Sequence, residues 1–300
     1  MMRSRVRADL DGQETNLHSR MIWFVTGCSR GLGRCLAEEL LKDSHSVVLA
    51  VRDTNAVSDL LAAHTETAHA VTLDLNKPSD IPAAIDSAHK WFGHIDVLVN
   101  NAGYALLGAV EEISINDARN LMETNYFGPV GLIQAALPMM RQRKSGHIIN
   151  ISSIGGFAAL PSCGQYSATK FALEGMSEAL HQEVSDLGIK VTIVEPNGVR
   201  TDFLSDRSLR ISGTAIPDYD RSRGAQIAKF NAANGSQPSD PVLGARAIMK
   251  LAEAKTPPLR FVFAAAGIER VRAKLSEVEK DLSDWKDLSL SVTFQLGSSK

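Results

Sequence analysis

Cysteine is scarce in this chain: three thiols, Cys28, Cys35 and Cys163, an odd set with no metal-ligand spacing. A disulfide framework and a thiolate metal centre are therefore not what organises the protein, no metal is expected, and a cytoplasmic chain with reduced thiols is. An excess of basic charge is also missing. Thirty-two Lys and Arg stand against 34 Asp and Glu, which leaves no electrostatic footprint for nucleic acid. No apolar run approaches the ~20 residues that a membrane-spanning helix needs, and the N-terminus lacks the apolar core of a secretory signal. The chain shows no internal repeat and no linker dividing it into two domains.

What is present is a 300-residue chain with 44% hydrophobic residues, enough for one large α/β domain with a well-buried core. Residues 1–20 are polar, with Arg3, Arg5 and Arg7 ahead of any acid. That order is similar to a mitochondrial presequence. The simpler reading is a disordered extension, and Met21, directly before the first apolar run, is an alternative start. The folded domain is expected over 21–300.

Short apolar runs alternate with helical patterns from residue 22 onward. Runs at 22–25, 47–51, 70–73, 95–99, 148–151 and 191–194 read as strands. Segments at 32–41, 55–63, 78–91, 114–143 and 165–186 read as helices, the fourth bent or divided at Pro129. A helix at 241–254, a seventh run at 259–264 and a charged amphipathic helix at 267–284 follow. The pattern predicts a doubly wound, mainly seven-stranded parallel sheet of Rossmann type with helices on both faces. Residues 202–240 are polar with poor periodicity and are expected to cover the site as a lid.

The candidate chemistry sits at the strand ends. The first strand runs into Thr26-Gly27-Cys28-Ser29-Arg30-Gly31-Leu32-Gly33. Glycines here let the backbone approach a pyrophosphate, whose charge the N–H groups of the following helix can meet. The second strand ends at Val51-Arg52. An acid at this position would hold a ribose 2′-OH, whereas a guanidinium offers a fork of donors to a 2′-phosphate. Arg52, with Arg30 as a second cation, points to NADP(H). Asp74-Leu75 closes the third strand, where Asp74 either accepts from the adenine amino group or caps the next helix. Asn100-Asn101-Ala102-Gly103 closes the fourth, where small residues let a cofactor lie across the edge. Tyr166 and Lys170 stand one turn apart on a helix face. A nearby ammonium favours the phenolate, so the pair is expected to make a proton donor that works near neutrality.

These residues resemble the short-chain dehydrogenase/reductase family over 21–200. The likeness rests on Thr-Gly-x-x-x-Gly-x-Gly at 26–33, Asn-Asn-Ala-Gly at 100–103, Asn125, and Ser153, Tyr166 and Lys170 at the family's spacing. The resemblance implies that Tyr166 is the acid/base and that Ser153 holds the substrate oxygen. It implies that Lys170 binds the nicotinamide ribose and tunes Tyr166, and that Asn125 positions a water in a proton relay. After the sixth strand the family has Pro-Gly-x-x-x-Thr, and here Pro196-Asn197-Gly198-Val199-Arg200-Thr201 stands in its place. Pro196, Val199 and Thr201 are carried over as cofactor contacts. Asn197 replaces the glycine, which asparagine's tolerance of left-handed backbone accommodates. The segment from Pro257 through Trp285 is similar to a branch of uncharacterised oxidoreductases related to hydroxysteroid and retinol dehydrogenases.

The implied activity is NADP(H)-dependent hydride transfer to a carbonyl, or from a secondary alcohol, of a mostly apolar small molecule. Leu106, Phe157, Leu160, Val199 and Phe203 are expected to line the pocket, with Cys163 at its mouth or packed in its wall. A non-catalytic NADP(H)-binding redox sensor or scaffold is the alternative, although such a protein has no use for Tyr166 and Lys170 together. Ala168, Ala172, Gly175 and Ala179 form a small-residue stripe on the Tyr166 helix. The stripe packs either on the protein's own sheet or on a second copy. The family likeness implies the second, a homodimer or homotetramer.

Overall fold

The computed structural model describes residues 20–294. The expected N-terminal extension, apart from Arg20, lies outside the described residues.

The first strand, β1 (Ile22–Thr26), shows why an uninterrupted apolar run becomes a strand here. Alternate side chains leave opposite faces of a strand. Trp23 and Val25 enter a core cluster on one side of the sheet and Phe24 enters a second cluster on the other. Each such side chain, taken fully out of water, contributes about 1.5–3 kcal/mol. Gly27, at φ +73°, ends the strand in a backbone conformation that side chains rarely adopt. Helix α1 (Gly31–Lys42) follows, burying Leu36, Ala37, Leu40 and Leu41 at helical spacing.

The chain then repeats the pattern: β2 (Ser46–Val51), α2 (Ser58–Ala63), β3 (Ala68–Thr72), α3 (Asp80–Phe92), β4 (Val97–Asn100). A short strand β5 (Ala105–Leu107) precedes α4 (Ile115–Met122), α5 (Gly128–Arg143), β6 (Gly146–Ile151), α6 (Gly164–Val184) and β7 (Ile189–Glu195). The remainder is β8 (Leu209–Ile211), α7 (Asp220–Ala233), α8 (Pro241–Glu253), β9 (Arg260–Val262), α9 (Ala265–Asp284) and α10 (Lys286–Ser291). Seven strands make one sheet in the order β3-β2-β1-β4-β6-β7-β9, and every pairing in it is parallel. The order reverses between β1 and β4, the place where open parallel sheets leave a crevice at their carboxyl edge. One core cluster seals the face under α1 and α8, the other the face under α3, α5 and α6.

Three details differ from the sequence reading. The expected helix over 114–143 is divided by a π-helical turn at Glu123–Phe127, ahead of Pro129. Pro129 follows this turn within an unbroken helical stretch, and having no N–H it donates to no carbonyl of the turn before it. Residues 202–240 are not without regular structure, since they hold β8, paired in parallel with β5, and the helix α7. Asp74 does not cap a helix. Its carboxylate accepts from the Asn76 N–H at 3.1 Å, and α3 begins six residues on at Asp80.

Candidate active site

The carboxyl edge of the sheet opens into a cleft of about 730 Å³. Into it face Gly27, Ser29, Arg30, Gly31, Leu32 and Gly33 from the first turn, Arg52 after β2, and Asp74 and Leu75 after β3. Asn101, Ala102 and Gly103 after β4, Ser153 after β6, Tyr166 and Lys170 on α6, and Pro196, Val199 and Thr201 after β7 complete it. Residues up to 174 positions apart in the chain thus meet on one edge, because each follows a parallel strand.

Thr26 fastens the first turn to the Asn-Asn-Ala-Gly segment. Its hydroxyl accepts from the N–H groups of Asn101 and Ala102, both at 2.9 Å. Asn101 returns a bond from Nδ2 to the Thr26 carbonyl at 2.8 Å. A Cβ on Gly33 would lie 2.3 Å from that same Nδ2, so glycine is required for this close approach. Asn101 thereby shapes the turn with its side chain and borders the cleft.

The residues present fit a dinucleotide. Gly27 and Gly31 both take positive φ. The N-terminus of α1 has no side-chain cap and no acid in its first turn. Its N–H groups and the positive end of its dipole are thus left for a phosphate. At the end of β2 the nearest acid, Asp53, is already committed, accepting from the Asn55 N–H at 3.0 Å as the cap of a short 3₁₀ turn. Arg34 is engaged by Glu38 and Asp59. Arg52 is exposed and has no partner among the described residues. Arg30 departs from its expected use. Its guanidinium donates to Ser208 Oγ and to the Arg207 carbonyl, each at 2.9 Å, clasping the glycine turn to the 202–240 segment.

Ser153 and Tyr166 both face the cleft, and the Ser153 hydroxyl eases ionisation of the Tyr166 phenol. Burial outweighs this and raises the Tyr166 phenol to about 12. This corrects the expectation that Lys170 lowers it: the Lys170 Nζ stands 6.0 Å from the ring centroid and donates to the Ile151 carbonyl at 2.8 Å. Lys170 is itself buried, which lowers its ammonium to about 8, with Glu174 pulling the other way.

Asn125 does not line the cleft. It sits wholly buried on the π-helical turn, a rare element often found at functional sites. Its Oδ1 accepts from Tyr104 N–H at 3.1 Å, and its Nδ2 donates to the Tyr104 carbonyl at 2.9 Å and to Thr169 Oγ1 at 3.1 Å. A Cβ on Gly103 would lie 3.0 Å from Asn125 Oδ1 and 3.7 Å from Lys170 Nζ, so the glycine keeps the space between them open. In the loop after β7 the left-handed residue is Gly198, at φ +62°, and Asn197 is not among the residues at positive φ. The replacement of glycine by Asn197 is therefore free of backbone strain.

Of the five expected pocket residues, Leu160, Val199 and Phe203 line the cleft. Leu106 does not, because alternation along β5 turns Ala105 and Leu107 inward and Leu106 to a separate cluster with Ile113 and Leu121. Phe157 lies under the Arg260 guanidinium, 5.8 Å from its carbon. Cys163 is packed in the wall with Leu107 and Leu209, and burial pushes its thiol up to about 11. The sequence reading missed Tyr104, Arg207, Arg210, Lys229, Phe230 and Arg270, which also border the cleft. Tyr104 directly precedes β5, Arg270 is on the expected amphipathic helix α9, and the other four come from β8, α7 and their flanks, whose polar sequence gives no periodic signal. No group of His, Cys, Asp and Glu able to hold a metal is found among the described residues.

Comparison with known proteins agrees with this geometry. The short chain dehydrogenase family model matches residues 21–211. The chain belongs to the short-chain dehydrogenase/reductase family. Oxidoreductase BOA17 of Botryotinia fuckeliana is 36% identical over 90% of this chain and 98% of its own length. A short-chain dehydrogenase from Streptomyces avermitilis superimposes with a TM-score of 0.86 at 37% identity, covering 92% of this chain and 99% of that one. A short chain dehydrogenase/reductase from Burkholderia phymatum in complex with NAD gives a TM-score of 0.77 at 25% identity, covering 87% and 95%. The protein is thus an oxidoreductase of this family with a Rossmann-type fold, and no described helix is long and apolar enough to cross a membrane.

Proposed function

We propose that this short-chain dehydrogenase/reductase uses NADP(H) to interconvert a carbonyl and a secondary alcohol on a mostly apolar small molecule, with Tyr166 as the acid/base. The observation that carries the reading is the meeting of Ser153, Tyr166 and Lys170 with the uncapped N-terminus of α1 in one cleft. The α1 turn would hold the pyrophosphate, Arg52 the 2′-phosphate, and Lys170 the nicotinamide ribose. The nicotinamide, when bound, supplies or accepts the hydride.

Ser153 and Tyr166 offer hydroxyl donors to one substrate oxygen, where negative charge develops as a carbonyl is reduced. A phenol raised to about 12 keeps its proton at neutral pH, so Tyr166 stands ready to give it to that oxygen. Lys170 donates to the Ile151 carbonyl, which fixes its ammonium while its other donors remain for ribose hydroxyls. Asn125 holds Tyr104 and Thr169, and through them the backbone on both sides of the site. Leu160, Val199 and Phe203 favour an apolar substrate body, and 202–240 closes over it as a lid.

Oligomerisation through α6 belongs to the same proposal. Ala168, Gly175 and Ala179 are exposed and Ala172 is half-buried, while Leu173, Ser177 and Leu180 face the protein's own core. The small-residue stripe is thus not packed on the sheet and is open to a second copy. The function is tested by following NADPH absorbance against a panel of steroids, retinoids, polyketide ketones and small aldehydes. Turnover of at least one ketone or aldehyde is expected. Cofactor binding without turnover across the panel would favour a sensor instead.

A further inference from the structure

Helix α9 leaves the body almost at once. Gly267 is buried, with a hypothetical Cβ 2.8 Å from Val262 Cγ1, and Arg270 donates to the Ala158 carbonyl. Beyond Arg270 nearly every residue is exposed or partly so, on all sides of the helix. Yet one face is apolar. Ile268, Val271, Leu275, Val278, Leu282 and Trp285 recur at alternating spacings of three and four. Those are the a and d positions of a heptad, the seam of a two-stranded coil. Trp285 and Leu282 are 63% and 62% exposed, Leu275 53%. A single exposed leucine is ordinary; a continuous seam of this length marks an interaction surface.

We infer that this seam docks a second copy of the same chain, the two α9 helices lying antiparallel across a two-fold axis near Ser276. The register follows from arithmetic on the positions. Residue pairs whose numbers sum to 553 match every a with a d: Ile268 with the partner's Trp285, Val271 with the partner's Leu282, Leu275 with the partner's Val278. The flanks are self-complementary. Arg272 and Glu279 lie along one flank, Lys274 and Asp281 along the other, so antiparallel pairing sets Arg272 beside the partner's Glu279 and Lys274 beside the partner's Asp281. In one copy Arg272 and Lys274 make only exposed pairs three residues away, with Glu269 and Glu277, which are weak and readily exchanged. The flanking charges suit a parallel pair too, but there both bodies would crowd the same end, because each α9 is rooted in its body at Gly267. Antiparallel pairing puts the bodies at opposite ends of a helix about 30 Å long.

Other occupants fit less well. Residues 265–291 carry six acids and five bases, a balance that gives no attraction to an anionic bilayer. Residues 1–19 offer Val6, Leu10 and Leu17 as their aliphatic residues, too few to fill the seam. The face is separate from the α6 stripe, so a test must report on α9 itself.

Spin labels placed singly at Ser276 and at Ser283, in the full chain with Cys35→Ser, read the distance between copies. With ~1.5 Å rise per residue, the axial separation between the two labels is about 2 Å at 276 and about 20 Å at 283. The expected result is a short distance at 276, a clearly longer one at 283, and loss of both in Leu275→Asp/Leu282→Asp. Arg272→Glu/Lys274→Glu should weaken association at least tenfold, and adding Glu279→Lys/Asp281→Lys should restore it. Equal distances at the two sites, as in a parallel pair, would overturn the proposal. So would the absence of a short distance at 276, whether the protein is a monomer or a dimer held only at α6, and so would binding of the seam to vesicles without pairing. NADPH turnover is read alongside and is independent of all these outcomes.

Discussion

Ser152 donates from Oγ to the Glu174 carboxylate at 2.6 Å, tying the strand end beside Ser153 to the helix that carries Tyr166 and Lys170. Glu174 in turn pairs with Arg260 at 3.0 Å, and Arg260 also reaches Glu178 at 2.6 Å. Behind this strand end lies a charge cluster from α6, β7 and β9, in which Glu174 and Glu195 are buried while Arg260 and Glu178 reach the surface. Its least satisfied member is Glu195. It has no exposed side-chain surface, and the Arg260 Nε, 3.3 Å away, is not aimed to donate to it.

Burial, with the charge of Glu174 added, raises Glu195 from an ordinary 4.5 to about 7. Between those values the folded chain keeps a proton that the unfolded chain has lost, so this contribution to stability falls as pH rises through the window. Glu195→Gln should remove that slope. We expect a higher melting temperature at pH 8, by about 2–4 °C for each kcal/mol recovered, and a smaller gain at pH 5.5. Thermal unfolding across this range checks it, and an equal effect at both values would contradict the assignment.

Arg52 should set cofactor preference. A hydrogen bond to a charged group contributes about 1.5–3 kcal/mol, roughly ten- to hundredfold in affinity. Arg52→Ala should raise the KM for NADPH by that factor and leave NADH almost unchanged. Steady-state kinetics with both cofactors is the check, and equal kcat/KM for NADPH and NADH in the parent protein would refute the preference.

Lys170, lowered by burial to about 8, should appear in the pH profile. The profile of kcat/KM reports groups of the free enzyme. Below about 8 the ammonium is present, and above it the charge is lost, whereas the Tyr166 phenol, near 12, is protonated throughout. The rate of carbonyl reduction should therefore be level from pH 6 to 7.5 and fall above about 8. A level profile to pH 10 would remove Lys170 from the role given to it.

Much of this was readable in the residues, for physical reasons that also mark where reading stopped. β1 and β6 are buried on both faces, so their apolar runs stand out against any background. The glycine turn, Arg52 and the Asn-Asn-Ala-Gly segment stand directly at the ends of β1, β2 and β4, which is why a sequence reading places them on one edge. Leu106 was misplaced because β5 is three residues long and its alternation cannot be phased from sequence. β8 and α7 escape a sequence reading because residues 202–240 are held in part by polar contacts that leave no hydrophobic period. Glu112, wholly buried, accepts from the N–H groups of Ala109 at 2.8 Å and Ile216 at 2.9 Å and pairs with Arg223. The direction of the Tyr166 shift depends on burial and on the aim of Lys170 toward Ile151, neither of which a spacing of four residues encodes.

The most direct test of the account is Tyr166→Phe. Removing the hydroxyl takes away the proton donor while leaving the ring packed against Phe203, whose centroid is 6.3 Å away. Loss of a general acid costs ~10²–10⁴ in rate. The account predicts a fall in kcat of that size with NADPH affinity nearly unchanged, measured by single-turnover NADPH oxidation and by titration of the cofactor. A variant that keeps most of its kcat would contradict it.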